Sequence, residues 1–132
     1  MSGRVVSRGA IAWGPAVLWA LGLFLLSEVQ ITQPRLQPLL VIPDKLVHFA
    51  LYFGLGGILA RARWVSGTDV WHVVLLAVGC TYGAVDEWHQ SLVFGRTPAV
   101  ADWLADVAGV FVGYLIVALV KARGSRNTDY LD

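Results

Sequence analysis

The sequence predicts an all-α, polytopic membrane protein, a bundle of four transmembrane helices in an N-in/C-in arrangement. Of the 132 residues, 57% are hydrophobic and only 14% are charged, and the hydrophobic residues are gathered into four long runs. A soluble protein of this length exposes too much surface to carry so few charges. A helix that crosses a bilayer, by contrast, needs about 20 mostly apolar residues. The runs lack the alternation of barrel strands, so we interpret them as helices.

The first two predicted helices are each preceded by an informative residue pattern. Arg4 and Arg8 precede the first run as in a signal peptide, but the run is long and no Ala-x-Ala-like site follows it, so we expect an uncleaved span. Pro43 stands just before the second run, a favourable place, and Asp44 is either its N-cap or an acid of its first turn. The four predicted helices cover residues 10–27, 44–60, 70–87 and 102–120.

The third and fourth predicted helices each carry a pair of glycines four residues apart. Gly79 and Gly83 lie in the third run, and Gly109 and Gly113 lie in the fourth. Such G-x-x-x-G steps let helices pack closely, so we expect close helix packing there, and a homo-oligomer would use either face. The connections 61–69 and 91–100 are short. The tail from residue 123 onwards is polar and is expected to fray.

The positions of the ten Lys and Arg residues predict the orientation. Seven precede the first helix, follow the second or follow the fourth, whereas three lie in the first and third loops or at the start of the second helix. Because positive residues stay in the cytoplasm, both chain ends are predicted inside and the first and third loops outside. The net charge of +1 gives no sign of nucleic-acid binding. The seven are Arg4, Arg8, Arg61, Arg63, Lys121, Arg123 and Arg126, and the three are Arg35, Lys45 and Arg96.

Polar residues of three predicted helices and one loop converge on the outer end of the bundle. His48 and Tyr52 follow Asp44 at four-residue intervals, so the three side chains share one stripe of a helix. Ionisable groups at membrane depth face the bundle interior. His89 is excluded because it lies off the shared face, and His72, at the cytoplasmic end, is expected to be structural. The remaining set, called here the polar cluster, is Asp44, Lys45, His48, Asp86, Glu87, Gln90, Arg96, Asp102 and Asp106.

The polar cluster carries more negative than positive charge. When ionised, its five carboxylates outnumber Lys45 and Arg96 by three. Such a site shares protons, recruits cations or binds a positive group. Carboxylate and imidazole are ordinary ligands of divalent metals, but the zinc signature H-E-x-x-H is absent. A metal, an internal network in which Lys45 pairs with Asp44 or Glu87, and a bound ligand therefore all stay open, and the cofactor is unknown.

Four polar motifs follow one another along the chain, namely D-K-L-V-H at 44–48, D-E-W-H-Q at 86–90, G-R-T at 95–97 and D-x-x-x-D-x-x-G-x-x-x-G at 102–113. In this order they resemble the VanZ family of bacterial membrane proteins. The resemblance covers residues 44–113 and is fairly specific, because polar motifs must coincide with three spans. It implies a single transmembrane domain over residues 1–132 in the bacterial cytoplasmic membrane. Asp106 stands where many relatives have Asn, and Phe94 where Pro often precedes the Gly-Arg pair.

Three functions are compatible with this cluster. The family is named for a protein linked to low-level teicoplanin resistance, so the resemblance implies an envelope protein whose outward site binds a surface component and alters glycopeptide susceptibility. The alternative is an integral-membrane enzyme acting on a lipid-linked or phosphorylated envelope substrate, with Glu87 or Asp86 as general base, Arg96 as anion clamp and His48 as proton shuttle. A small ion or proton conductor is least favoured, because the cytoplasmic halves of the last three helices offer no relay.

Overall fold

The described part of the protein is entirely helical apart from its connections. The computed structural model describes residues 8–28, 43–94 and 97–128, with side chains as far as residue 125. The prediction of an all-α fold with four helices is confirmed for these residues. The helices in chain order are α1 (Arg8–Glu28), α2 (Asp44–Ser66), α3 (His72–Gln90) and α4 (Val100–Thr128).

Two of the four helices are long and apolar enough to cross a membrane by length and composition. They are α1 and the Val100–Ser125 part of α4. The other two differ because of their polar ends. α2 begins with Asp44 and Lys45 and carries Arg61 and Arg63 in its last turns, while α3 ends in the sequence D-E-W-H-Q. By this criterion, the described residues contain two candidate spans.

The helices extend beyond most of the predicted boundaries. α2 was predicted to end at residue 60 but continues to Ser66, and α4 continues to Thr128 through the tail that was expected to fray. Arg, Lys and Ala are good helix formers, so a helix continues after the apolar run has stopped. α2 ends at Gly67, whose φ of 63° is the left-handed conformation that favours glycine. α3 begins at His72, two residues after its predicted start.

α2 and α4 run parallel and are the most closely packed pair of helices. A Cβ atom on Gly109 would overlap the carbonyl oxygen of Phe49, and one on Gly113 would overlap the carbonyl oxygen of Phe53. Gly56 approaches the α4 backbone in the same way from α2. Since only glycine permits backbones to approach this closely, these residues fix α4 against α2. The start of α4 is thereby held beside the start of α2.

α3 packs onto this pair through its own glycines, and α1 packs mainly onto α2. A Cβ atom on Gly79 would lie 3.1 Å from Cγ2 of Val110. The indole nitrogen of Trp19 in α1 donates to the carbonyl of Leu51 in α2 at 3.0 Å. The glycine pairs of α3 and α4 thus both pack against other helices of the same chain. A homo-oligomer, which stays a prediction, would need another surface.

Large hydrophobic side chains cover much of the outside of the bundle. Leu18 in α1 is 71% exposed and Val120 in α4 is 61% exposed. The buried core is narrow and lies along α2, where Tyr52 and Tyr114 are its largest fully buried side chains. An apolar exterior of this extent matches a lipid environment better than water. Together with α1 and α4, it supports a membrane protein.

Candidate functional site

The polar cluster gathers at one end of the bundle, where α2 begins, α3 ends and α4 begins. We call this the polar end, and the other end of the bundle the opposite end. Asp44 and Lys45 are exposed there. Arg96, the ninth predicted member, lies outside the described residues. The structure brings together the remaining predicted members, of which the buried ones are His48, Asp86, Glu87, Gln90, Asp102 and Asp106.

His48 occupies the centre of the cluster between carboxylates from two other helices. Its Nδ1 atom lies 2.9 Å from Oδ1 of Asp106 in α4 and 3.9 Å from Oε1 of Glu87 in α3. With Asp106 ionised, the imidazole N–H donates this hydrogen bond, because a carboxylate only accepts. Asp106 is fully buried. One histidine thus joins α2 to α3 and α4.

Gly83 explains how α3 comes so close to Asp106. A Cβ atom on Gly83 would lie 3.2 Å from Cβ of Asp106 and 3.3 Å from Cε1 of Tyr52. These separations are shorter than ordinary van der Waals contacts, so a Cβ atom here would require Asp106 or Tyr52 to shift by a few tenths of an ångström. Gly83, which belongs to the predicted G-x-x-x-G step, therefore has a second effect. It sets the spacing between the carboxylates of α3 and that of Asp106 in α4.

Asp86 has two donors on the same oxygen atom. Its Oδ2 accepts from the hydroxyl of Tyr52 at 3.2 Å and from the amide of Gln90 at 3.1 Å. Gln90 lies one helical turn after Asp86, as the four-residue spacing predicts. Tyr52 was not among the predicted members of the cluster, although its place four residues after His48 was the signal that could have included it.

The exposed edge of the polar cluster is formed by Lys45 and Asp102. Nζ of Lys45 lies 3.1 Å from Oδ1 of Asp102, and the lysine side chain is 60% exposed. The sequence had suggested Asp44 or Glu87 as its partner, which is wrong, because the parallel contact of α2 and α4 brings Asp102 closer. Pro43 is the N-cap of α2, so Asp44 is an acid of the first turn and not the cap.

The cluster has more acceptors than donors. Three buried oxygens, namely Oδ1 of Asp86, Oε1 of Glu87 and Oδ2 of Asp106, have no hydrogen-bond partner within the part of the chain that the structure describes. Leaving a buried polar group unpaired costs about 1–3 kcal/mol, and more when it is charged. Within the described residues, this surplus favours protons, a cation or donor groups that these residues do not themselves supply.

A surface recess of about 350 Å³ adjoins the cluster between the end of α3 and the start of α4. Oε2 of Glu87 accepts from the backbone N–H of Ala99 at 3.2 Å, which fixes this carboxylate at the recess wall. The recess was not predicted, because helical spacing says nothing about the path of a loop. Its lining is Ala84, Glu87, Trp88, Ser91, Pro98, Ala99, Val100 and Trp103.

His89 makes its contacts away from the polar cluster. Its Nε2 atom bonds to the carboxylate of Glu28, and its ring centroid lies 4.7 Å from that of Phe24. Both partners belong to α1. The prediction that His89 lies off the face shared by Asp86 and Gln90 is confirmed by these contacts.

The opposite end has polar contacts of another kind. Nδ1 of His72 lies 2.8 Å from the hydroxyl oxygen of Tyr114, and Nε of Arg63 donates to the carbonyl of Val70 at 2.7 Å. Nζ of Lys121 lies 3.9 Å from the centre of the Trp64 ring. Among the described residues, none of the unpartnered buried side-chain oxygens lies at this end.

Comparison with known proteins gives one informative result. The family model described as VanZ/LLP1 matches residues 11–121, a range that takes in the whole polar cluster and all of the recess lining. No curated protein and no solved structure matches the chain.

Proposed function

The chain belongs to the VanZ-like family, and from this premise we propose that it is a multi-pass protein of the bacterial cytoplasmic membrane whose polar cluster faces outwards and binds a component of the cell envelope. By binding that component, the protein alters the susceptibility of the bacterium to glycopeptides of the teicoplanin type. The observation that carries the proposal is the position of Glu87, a carboxylate shared between the recess and the buried cluster.

The proposed topology has four spans, with both chain ends inside. α2 has 23 residues and α3 has 19, so at about 1.5 Å per residue they reach about 34 Å and 28 Å, close to the hydrocarbon thickness of a bilayer. Their polar residues at the polar end are buried against other helices, which lowers the cost of immersion. The described Lys and Arg residues gather at the opposite end, except for Lys45. The positive-inside rule therefore favours the polar end outside.

The lining of the recess indicates the chemistry of the ligand. Most of the lining is apolar, and two tryptophans, Trp88 and Trp103, flank it at the level where aromatic side chains meet the membrane surface. Glu87 contributes a carboxylate to this apolar wall, with Oε2 accepting from Ala99 and Oε1 buried beside His48 without a hydrogen-bond partner among the described residues. An amphipathic envelope component with an apolar part and a hydrogen-bond-donating or cationic group matches both features.

An integral-membrane enzyme is the second candidate, and one observation favours it. His48 and Asp106 are 2.9 Å apart, the geometry in which a carboxylate orients a histidine for proton transfer. Oε1 of Glu87 lies 3.9 Å from Nδ1 of His48, and Glu87 also lines the recess, so it is the member of this group that can meet a substrate there. The substrate of such an enzyme would be a lipid-linked or phosphorylated component of the envelope. Arg96, the residue assigned to a phosphate, is outside the described residues.

Ligand binding is tested by filling the recess. The protein is purified from bacterial membranes, and its co-purifying compounds are compared by mass spectrometry with the bulk membrane extract. We expect one enriched amphipathic compound, reduced several-fold in the Ala84→Phe variant because the new ring occupies the recess. Val85→Phe is the matched control, since Val85 is exposed on the next position of α3 and does not line the recess. Equal recovery from both variants, or no enriched compound, contradicts the proposal.

A further inference from the structure

We infer that His48, Glu87 and Asp106 form a binding site for a divalent transition-metal ion. The three residues come from α2, α3 and α4, and each is buried. The inference goes beyond the proposed function, because the site would hold an ion whether or not an envelope compound enters the recess.

The ligand atoms are already close to the spacing that one ion requires. One atom from each residue lies within 4.8 Å of the other two. Nδ1 of His48 is 2.9 Å from Oδ1 of Asp106 and 3.9 Å from Oε1 of Glu87. Two ligands of a tetrahedral ion, at bond lengths of about 2.1 Å, are about 3.4 Å apart. Shifts well within the freedom of side chains would therefore place all three on one ion.

Unpartnered oxygens provide a second and independent observation. Oε1 of Glu87 and Oδ2 of Asp106 have no hydrogen-bond partner in the described residues, although Glu87 is only 8% exposed and Asp106 is 0% exposed. Two carboxylates and a neutral imidazole balance the charge of a divalent ion. Binding would turn two unfavourable buried charges into ligands.

The ligand set favours a transition metal over magnesium or calcium. One imidazole with two carboxylates is a mixed nitrogen and oxygen set, which suits Zn²⁺, Mn²⁺ or Fe²⁺, whereas Mg²⁺ and Ca²⁺ prefer oxygen ligands alone. Three protein ligands leave at least one position open on the ion. Because Glu87 also lines the recess, only the Glu87 carboxylate would separate a bound ion from the recess.

A second group of ligands at the polar end is less suited to an ion. Asp44, His48 and Asp102 also lie within reach of one another, but Asp44 is exposed. Asp102 already accepts from Lys45, whose ammonium group would repel a cation. Neither carboxylate has an unpartnered buried oxygen in the described part of the chain. The inner group is therefore the one that we assign.

The experiment measures metal bound to the full chain in detergent, purified without a histidine tag and stripped with a chelator. Zn²⁺ is added, free ions are removed by gel filtration, and the metal is counted by elemental analysis. We expect one zinc per chain, a higher melting temperature with Zn²⁺ than with Mg²⁺, and visible absorption bands when Co²⁺ replaces Zn²⁺. Asp106→Asn and Glu87→Gln should weaken binding by about 100-fold or more, since loss of a direct ligand exceeds the effect of loss of a supporting contact.

Asp102→Asn is the matched control, because it makes the same chemical change one helical turn away and should keep one zinc per chain. If Asp106→Asn does not fold, Glu87→Gln and His48→Gln decide the result. The inference is overturned if the wild-type protein retains no zinc, or if Asp102→Asn loses as much zinc as the inner variants. Zinc content and the co-purified compound are separate readouts, so either proposal can fail while the other holds.

Discussion

The two ends of the bundle each pair a histidine with a residue of α4, but the two pairs differ in burial and in charge. At the opposite end His72 is exposed and meets the neutral hydroxyl of Tyr114 at 2.8 Å. At the polar end His48 is buried and meets the carboxylate of Asp106 at 2.9 Å, with Glu87 close by. Among the described residues, only the polar end has buried side-chain oxygens without a hydrogen-bond partner. This surplus of acceptors is the observation that favours a ligand there.

An apolar stretch of the bundle separates the polar groups of its two ends. In this stretch α2 and α4 meet through glycines and apolar side chains. Among the described residues, α2 has no carboxylate or histidine after His48, α4 has none after Asp106, and α3 has none between His72 and Asp86. A proton relay from one end to the other therefore lacks its usual residues. This difference supports a binding site at one end in preference to a conductor through the whole bundle.

Breaking the α2–α4 contact should damage both ends at once and is the largest effect that we expect. Gly109→Val places side-chain atoms against the backbone of Phe49 and Phe53, so we expect a loss of about 4 kcal/mol or more in unfolding free energy. The measurement is denaturant unfolding in detergent micelles. Gly22→Ala is the control, because nothing lies within 4 Å of its Cβ position, and it should be neutral or slightly stabilising. Wild-type stability of Gly109→Val would show that the helices are not packed as described.

Removing each histidine compares the ends directly. His48→Ala leaves the buried carboxylate of Asp106 without its donor, and we expect a loss of about 3 kcal/mol in unfolding free energy. His72→Ala removes one partly buried hydrogen bond between neutral groups, worth about 1 kcal/mol. Both variants are compared with the wild-type protein in the same unfolding experiment. Equal losses would mean that the two histidines have equivalent surroundings.

The same tyrosine change at both ends gives a finer comparison. Tyr52→Phe removes a donor from the carboxylate of Asp86, and we expect a loss of about 2 kcal/mol, because hydrogen bonds to charged groups are the stronger ones. Tyr114→Phe removes a bond to His72 and should lose about 1 kcal/mol. The order of the two melting temperatures is the readout. A reversed order would show that Asp86 does not depend on the tyrosine.

Lys45 provides the smallest expected effect within the polar end. Its side chain is 60% exposed, so its ion pair with Asp102 is open to solvent and should contribute less than about 1 kcal/mol. Lys45→Met should therefore lower the melting temperature slightly, and the difference should shrink further in high salt. A large loss that is independent of salt would place Lys45 among the buried members of the cluster.

The sequence predicts the helices and the convergence of the polar cluster for a physical reason. Apolar runs of this length have few alternatives to the helix, and polar groups such as Asp86 and Asp106 are driven inwards at spacings of one helical turn. The ends of the helices were placed less well. The apolar run of the second helix ends at residue 60. The helix α2 itself continues through Arg61 and Arg63, because charged residues with long side chains are good helix formers.

The contacts between helices could not be predicted from the sequence alone. The choice of Asp102 as partner of Lys45 depends on how α2 and α4 are aligned, which glycine contacts decide. Likewise, the hydrogen bond from Tyr52 to Asp86 joins residues 34 positions apart. The recess depends on the loop after α3, which places the backbone N–H of Ala99 on Glu87. None of these follows from periodicity along a single helix.

The most direct test of the central claim is the teicoplanin susceptibility of a bacterium that expresses the Glu87→Gln variant. Glutamine keeps an oxygen for the N–H of Ala99, so the variant should retain the membrane abundance of the wild-type protein and, with both proteins free of metal, its melting temperature. We expect that the wild-type protein changes the minimal inhibitory concentration of teicoplanin and that Glu87→Gln abolishes this change. An unaltered effect in the folded Glu87→Gln protein would contradict it.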